Sequence, residues 1–465
     1  MKKVLVLGAG MVAGAHTRYL LEQPDFHVTV ASRTVSKAQA IIEGYPNGEA
    51  RQLNVKDEAV LEGLISQADL AVSLLPYAYH PTVAKLCIKH RKHMVTTSYV
   101  KKAMAQLDGA AKEAGVILLN EIGVDPGIDH MAAMKIIHQV QGDAASLPSG
   151  LEGGGEITGF TSWCGGLPAP EANTNPYGYK FSWSPKGVLL ASRNSARFLK
   201  DGEEVVIPGE ELFDHHWPVP VEIEGKVIEF EGYPNRNSLP YIETYGITTA
   251  KSMFRGTLRN VGWCETLRKV VDLGLIDTEV RDDIAGLSFA QFIAKLIGSA
   301  VGSGPDDLKK NLTAYLDIEA GSQVMDRLEW LGLLSDDPLP LEKGAPIDIL
   351  TARMLEKMRY EEGERDMIIL QHELVAEYPD HKQNITATLV DFGIPHGDTS
   401  MARTVGLPAA IGVRMILQGE IDLTGVHTPV IPKIYEPVLE ELERLGIRFV
   451  ETWETVPTAD GRGRL

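Results

Sequence analysis

Val4-Leu5-Val6-Leu7-Gly8-Ala9-Gly10-Met11-Val12-Ala13-Gly14 stands at the head of the chain, four apolar residues of strand character running into a G-x-G-x-x-A loop. Gly8 lets the backbone turn sharply, Gly10 leaves room for a phosphate, and Ala13 is small enough for a helix to pack close to the strand. The spacing predicts a helix beginning near Met11 whose first amides point at an anion. Gly8, Ala9, Gly10, Met11 and Val12 are therefore the expected cradle of a dinucleotide pyrophosphate. The next strand-like run, His27 to Ala31, ends in Ser32-Arg33-Thr34, and no Asp or Glu occurs from Phe26 to Ile42. An acid at that strand end would accept the 2′-hydroxyl of NAD, whereas a guanidinium offers forked donors to a 2′-phosphate and a flat face to adenine. Ser32, Arg33 and Thr34 thus point to NADP(H). The plainer alternatives are a turn that binds nothing and a solvated loop arginine.

Outward from this loop, strand-like and helical runs alternate as far as Pro126: Val28-Ala31 and Lys37-Glu43, Ala50-Leu53 and Glu58-Ser66, Leu70-Leu74 and Pro81-Lys89, Met94-Thr96 and Lys102-Ala114, then Val116-Leu119. That order predicts an α/β fold with a doubly wound parallel sheet. Ligands bind beyond the carboxyl ends of such strands, which selects Leu75-Pro76, Thr97-Ser98-Tyr99 and Gly123 to Gly127. After Gly142 the texture changes. Ser149-Gly155 reads as a loop, and the stretch to about Asn260 is rich in Gly, Pro, aromatics and extended runs, predicting a second, sheet-containing domain. Lys200-Asp201-Gly202-Glu203 is a hairpin signal. Helical periodicity dominates from Val261 to about Glu361. Strands return at Asp366-Leu370 and Ile385-Val390, followed by helices over Thr399-Gln418 and Leu439-Leu445. Ile447-Val450 is expected to add a strand to the first sheet, and Pro457-Leu465 to form a mobile polar tail.

The 465 residues, 44% hydrophobic and 23% charged, are ordinary globular composition with length for two or three domains. A net charge of −18 argues against nucleic acid or an anionic membrane as partner. Cys87, Cys164 and Cys264 are too few for a disulfide framework or a zinc site, which points to a reducing compartment and hence the cytosol. No segment is apolar for long enough to span a bilayer.

Asp125, in Asn120-Glu121-Ile122-Gly123-Val124-Asp125-Pro126-Gly127-Ile128-Asp129-His130, follows a predicted strand directly and suits a carboxylate that binds a substrate ammonium or moves its protons. Its bland alternative is an N-cap for a helix from Ile128. Cys164, in Trp163-Cys164-Gly165-Gly166-Leu167-Pro168, is either a site thiol or a packing thiol, and the glycines beside it imply a close approach. Arg236 and the run Arg255-Gly256-Thr257-Leu258-Arg259 supply the local positive charge that an acidic protein needs to hold carboxylates. His372-Glu373 lacks a second histidine at helical spacing, no P-loop lysine or nucleophile elbow occurs, and His215-His216 reads as surface or packing.

The strings Val95-Thr96-Thr97-Ser98-Tyr99-Val100, Asn120 to His130, Trp163 to Glu171, Asn175 to Trp183, Tyr233-Pro234-Asn235-Arg236, Arg255 to Arg259 and Glu361 to Asp366 closely resemble the NADP-dependent, L-glutamate-forming saccharopine reductase family over nearly the whole chain. The resemblance implies three domains: a Rossmann-like NADP domain of residues 1–126 and 398–465, an α/β substrate-binding and dimerisation domain of 127–262 and 363–397, and an all-helical domain of 263–362. It implies saccharopine contacts at Ser98, Tyr99, Asp125, Arg236, Thr257, Leu258 and Arg259, with Tyr99, Asp125 and Cys164 as the ionisable catalytic groups. Asn54, Leu75, Gly123, Val124, Pro126, Gly127, Ile128, Asp129, His130 and Trp183 join the loop residues as implied cofactor contacts. The implied partners are small molecules, saccharopine, L-glutamate and 2-aminoadipate 6-semialdehyde, in a cytoplasmic homodimer without metal. Two departures concern loop shape: Ala13-Gly14-Ala15 lacks the family's usual proline, and Ser146-Gly155 reads as an insertion. Two other readings of the same fold stay open here: reduction of a different imine, such as a carboxylated polyamine precursor, and a non-catalytic NADPH-binding module.

Overall fold

The computed structural model describes residues 1–142, 153–301 and 304–457. Their contacts divide them into two units, one drawn from Met1–Ile157, Thr244–Ile247 and Leu374–Leu465, the other from Thr158–Glu243 and Thr248–Glu373.

The first unit is built on a seven-stranded sheet in the spatial order Gly425–His427, Ile117–Leu119, His93–Val95, Leu70–Ser73, Lys2–Leu7, Phe26–Ser32 and Gly48–Gln52. Every neighbouring pair is parallel. Val4, Val6, Leu7, Val28, Val30, Leu70 and Val72 are all buried, as both faces of a parallel sheet must be. One face packs on Leu61, Ile65, Val83, Ala84, Cys87 and Ala111. These residues come from helices Glu58–Gln67, His80–Lys89 and Asp108–Ala114. The helix after the glycine loop, Ala13–Leu21, packs against Ser400–Gln418 so closely that a Cβ on Gly406 would come within 3.0 Å of the His16 amide nitrogen. Chain direction reverses its march between Lys2–Leu7 and Leu70–Ser73, so the loops after those strands flank the crevice that this topology leaves for a ligand.

Two expected elements differ. The C-terminal strand of the parallel sheet is Gly425–His427, and the later strand, Val450–Pro457, instead runs antiparallel to His381–Phe392, from His381 opposite Pro457 to Thr388 opposite Val450. The alternation Val450-Glu451-Thr452-Trp453 suits a half-exposed antiparallel strand, and a buried parallel strand would read as a continuous apolar run. Lys102-Ala114 is broken into Lys102–Ala105 and Asp108–Ala114; the Asp108 carboxylate accepts from the Val426 amide at 2.9 Å, tying the restart to the Gly425 strand. Residues 143–152 and 458–465 lie outside the described residues, so the proposed insertion and tail are not characterised.

The second unit carries a mixed sheet in the order Trp217–Ile223, Lys226–Pro234, Ser252–Arg259 and Glu156–Pro168. The first two pairings are antiparallel and the last is parallel. The hairpin forms as expected between Ala196–Lys200 and Glu203–Ile207. Asp201 and Gly202 both take positive φ, 50° and 86°, the combination a two-residue hairpin turn needs to match strand twist. Helices occupy Trp263–Asp272, Phe289–Leu296, Pro305–Leu316, Gln323–Trp330 and Pro346–Lys357. Among the described residues no helix is long and apolar enough to cross a membrane, and no cluster of His, Cys, Asp and Glu is arranged to hold a metal.

Candidate active site

The glycine loop has the shape its spacing predicts. Gly8 holds φ 114°, and a Cβ there would stand 3.0 Å from the Leu74 carbonyl oxygen, so only glycine passes the crossover between the two central strands. Gly10 is different: a Cβ would meet nothing within 4 Å. Protein packing does not require a glycine there, and the open space above its backbone is what an approaching pyrophosphate needs. Ala13 is fully buried, and the helix starts at Ala13, two residues later than expected, with Val12 at its N-cap and no side chain capping its amides. Ser32 ends its strand, with its hydroxyl accepting from the Thr34 amide at 3.4 Å, and Arg33 and Thr34 are exposed. Arg33 has no ion pair among the described residues, so its guanidinium is available to a phosphate. Asn54 is exposed in the loop after Gly48–Gln52, and Leu75 is half-buried against the core after Leu70–Ser73. These residues fit a dinucleotide carrying a 2′-phosphate.

Two further loops of the same sheet bring Tyr99 and Asp125 together. The Tyr99 hydroxyl donates to Asp125 Oδ1 at 2.7 Å. Asp125 sits in a closed turn: the Gly123 amide donates to the Pro126 carbonyl at 2.8 Å and the Ile128 amide to the Gly123 carbonyl at 2.8 Å, across a cis Asp125-Pro126 peptide. A Cβ on Gly127, at φ 149°, would collide with the Gly123 carbonyl at 2.0 Å, so the turn closes only with glycine. Helix Ile128–Gln141 is entered through Gly127 with no side-chain cap, and the Gly127 amide is taken by Asp129 Oδ1 at 2.5 Å. This excludes the N-cap alternative for Asp125. Ser98 is held from below by His80, whose Nε2 lies 2.8 Å from the Ser98 hydroxyl and whose Nδ1 lies 2.8 Å from that of Ser73. Burial, with a smaller push from Lys101, drives the His80 imidazole down to about 4, so it relays hydrogen bonds as a neutral ring.

In the second unit, Cys164, Thr257, Leu258 and Arg259 lie on the adjacent strands Glu156–Pro168 and Ser252–Arg259, with Thr257 opposite Cys164. Cys164 is half-buried, whereas Cys87 and Cys264 are buried. The close approach implied by its glycines comes from neighbouring side chains. A Cβ on Gly165 would strike the Leu258 side chain at 2.8 Å, and the Trp163 ring fills the space over Gly256 and Gly232. Arg259 is only 6% exposed. Its guanidinium lies over Tyr179 and Trp263, 4.9 and 5.5 Å from their ring centres, and Nη1 donates to the Leu258 carbonyl at 2.7 Å. Glu231 stands opposite it in the sheet, yet that carboxylate is engaged by the Gly262 and Cys264 amides at 2.6 and 2.9 Å. Arg259 Nε is left without a hydrogen-bond partner among the described residues. A buried cation with no carboxylate is costly, and an anionic ligand relieves it. Arg236 is exposed at φ 58°, Arg255 is buried and stacks on Tyr241 at 4.4 Å, and Trp183 is half-buried just before helix Pro185–Ala191.

Two groups beneath these loops were passed over in the sequence. His80 looks like one polar residue at a helix start, and Glu121 like one acid in a long motif; only the fold shows what they touch. The pairing of polar residues at the ends of neighbouring parallel strands was the one available signal.

Comparison with known proteins follows the same division of the chain. Residues 4–119 match the model described as the saccharopine dehydrogenase NADP binding domain, and residues 123–447 the model of the saccharopine dehydrogenase C-terminal domain. Saccharopine dehydrogenase [NADP(+), L-glutamate-forming] of Schizosaccharomyces pombe is 43% identical over 458 residues, spanning 97% of this chain and 99% of the relative. The enzyme of the same description from Pyricularia oryzae is 40% identical over 97% of this chain and 98% of its own length. Among solved structures, the apo L-Glu-forming saccharopine dehydrogenase of Saccharomyces cerevisiae superimposes with a TM-score of 0.85 at 37% identity, covering 98% of this chain and all of that one.

Proposed function

The chain belongs to the saccharopine dehydrogenase family, and from that membership we propose that it interconverts saccharopine with L-glutamate and 2-aminoadipate 6-semialdehyde using NADP(H), as a step of lysine metabolism. The observation that carries the proposal is the Tyr99–Asp125 pair, a proton-handling phenol and carboxylate 2.7 Å apart at the strand ends of the sheet that bears the dinucleotide loop.

In the reducing direction the glutamate amine attacks the aldehyde carbon, water leaves to give an imine, and reduction of the protonated imine carbon gives the secondary amine of saccharopine. NADPH supplies the hydride when bound. Gly8 to Val12 cradle its pyrophosphate, and Ser32, Arg33 and Thr34 take the 2′-phosphate. Asn54, Leu75, the Gly123–His130 backbone and Trp183 complete its contacts. The Asp125–Tyr99 pair receives the proton released as the ammonium becomes a nucleophile, and the Asp125 carboxylate then faces the positive charge of the protonated imine. Ser98, oriented by His80, binds beside them. Arg236 and Arg259 hold substrate carboxylates, Thr257 and Leu258 line the same ligand, and Cys164 is the third ionisable group beside it. The protein works as a cytosolic homodimer, a reading supported by its three unpaired cysteines and acidic charge and by the family's dimerisation domain.

Initial rates of NADPH consumption test the proposal. With the semialdehyde, L-glutamate supports turnover and a diamine does not. Turnover with the diamine instead assigns a polyamine-type imine reductase, and NADPH binding without consumption in either mixture assigns a binding module. Arg33→Asp raises the KM for NADPH about tenfold or more while leaving that for NADH within about twofold, as loss of a charge-assisted phosphate contact requires. Equal effects on both would show that Arg33 does not read the phosphate.

A further inference from the structure

We propose that Glu121 is a positioning residue whose carboxylate holds the Tyr99 loop and the Asp125 turn in register, so that their side chains meet. The inference rests on the reading of Tyr99 and Asp125 as the proton-handling pair.

Glu121 reaches both flanks of Tyr99. Its amide donates to the Ser98 carbonyl at 3.2 Å, and its Oε1 accepts from the Val100 amide at 2.8 Å. Its second oxygen, Oε2, lies 2.8 Å from His130 Nε2, on the helix that begins directly after the Asp125 turn. A carboxylate only accepts, so His130 presents Nε2–H to Glu121, and its Nδ1 faces the Tyr245 hydroxyl at 2.6 Å. Asp129 Oδ2 lies 3.6 Å from the same Nδ1, while its Oδ1 takes the Gly127 amide. One side chain therefore spans from the loop on which the phenol is mounted to the helix that anchors the carboxylate turn.

Three further features set this residue apart from an ordinary strand-end acid. Glu121 is 7% exposed and His130 1%, so their hydrogen bonds are sheltered from competing water. Glu121 holds a left-handed φ of 56°, which a glutamate adopts only where its surroundings over-determine it. No group in the array is placed to touch the glycine loop, so its effect reaches the chemistry through Tyr99 and Asp125.

Glu121→Gln keeps the volume and the oxygen for Val100, but it sets an amide NH2 against His130 Nε2–H. A double-mutant cycle with Tyr99→Phe, read as kcat/KM for saccharopine, separates positioning from a general structural role. Glu121→Gln lowers kcat/KM about tenfold in the wild-type background, chiefly through kcat, and less than about twofold once Tyr99 is Phe, because coupled residues are non-additive. Equal fold losses in both backgrounds overturn the proposal. His130→Gln breaks the other end of the same contact and is run through the same cycle, with the same expected coupling, should Glu121→Gln not fold. A wild-type protein that does not turn over saccharopine refutes the functional reading instead, and 3-fluorotyrosine at position 99 then decides the positioning role. Its 19F resonance shifts in Glu121→Gln if the loop is held as described, and an unmoved resonance overturns the proposal.

Discussion

Replacing Arg259 by methionine is expected to stabilise the protein and disable it at once. Arg259 is 6% exposed, bonds one carbonyl, and faces a glutamate already committed to two amides. Methionine removes a cation whose desolvation nothing on the chain offsets, and keeps a side chain of similar reach against Tyr179 and Trp263. Losing the two ring contacts costs about 1–2 kcal/mol in all, and losing the bond to the Leu258 carbonyl costs about 1–3 kcal/mol. The relieved desolvation is several kcal/mol, and swapping even paired buried charges for apolar side chains has gained about 1–4 kcal/mol. The stabilising term therefore wins by about 1 kcal/mol or more, which raises Tm by about 2–4 °C in a unit of this size. A substrate carboxylate deprived of its buried guanidinium loses about 2–5 kcal/mol, so kcat/KM for saccharopine falls about a hundredfold. Differential scanning calorimetry and steady-state kinetics read both effects. A lower Tm with kcat/KM intact would refute the reasoning, because it would mean that Arg259 is a packing residue satisfied in the protein alone.

The two glycines of the dinucleotide loop separate packing from binding. Gly10→Ala meets no protein atom, so its stability stays within about 0.5 kcal/mol of wild type while NADPH affinity falls; Gly8→Ala, forced to φ 114° against the Leu74 carbonyl, loses more than about 1 kcal/mol. Thermal melts alongside NADPH titration check this, and an unchanged NADPH affinity in Gly10→Ala would contradict the loop's role. Acid should weaken the fold through His16 and His80, which burial pushes down to about 4. The unfolded chain, titrating near 6.5, binds protons in the window between the two values that the folded chain refuses. Their contribution is thus complete above about pH 6.5 and lost as pH falls toward 4, up to about 3 kcal/mol for each. A Tm that does not change between pH 7 and pH 4.5 in His16→Gln and wild type alike would show that neither ring is held neutral.

The glycine loop, the Asp201-Gly202 hairpin and the closed turn around Asp125 were legible because each depends on residues adjacent in sequence whose conformational demands are local. The strand Gly425–His427 was not, since three residues carry no periodicity and their place is set by pairing with Ile117–Leu119. Val450–Pro457 was assigned to the wrong sheet because apolar content was weighed above its alternation. Arg259 was legible as a carboxylate clamp, yet its lack of a partner was not, because Glu231 opposite it looks like a salt-bridge mate until the Gly262 turn claims it. Glu121 was invisible for the same reason: Val100, His130 and Tyr245 meet it only through the fold. Local conformational rules thus located the site, and competition among distant polar groups decided which side chains in it remain open to a ligand.

The most direct measurement is the oxidation of saccharopine itself with NADP+, following nicotinamide absorbance and identifying the products by mass spectrometry. The account predicts NADPH, L-glutamate and 2-aminoadipate 6-semialdehyde in equal amounts, with little reaction when NAD+ replaces NADP+. Absence of turnover in a protein that binds NADPH, or lysine and 2-oxoglutarate as products in place of L-glutamate and the semialdehyde, would contradict it.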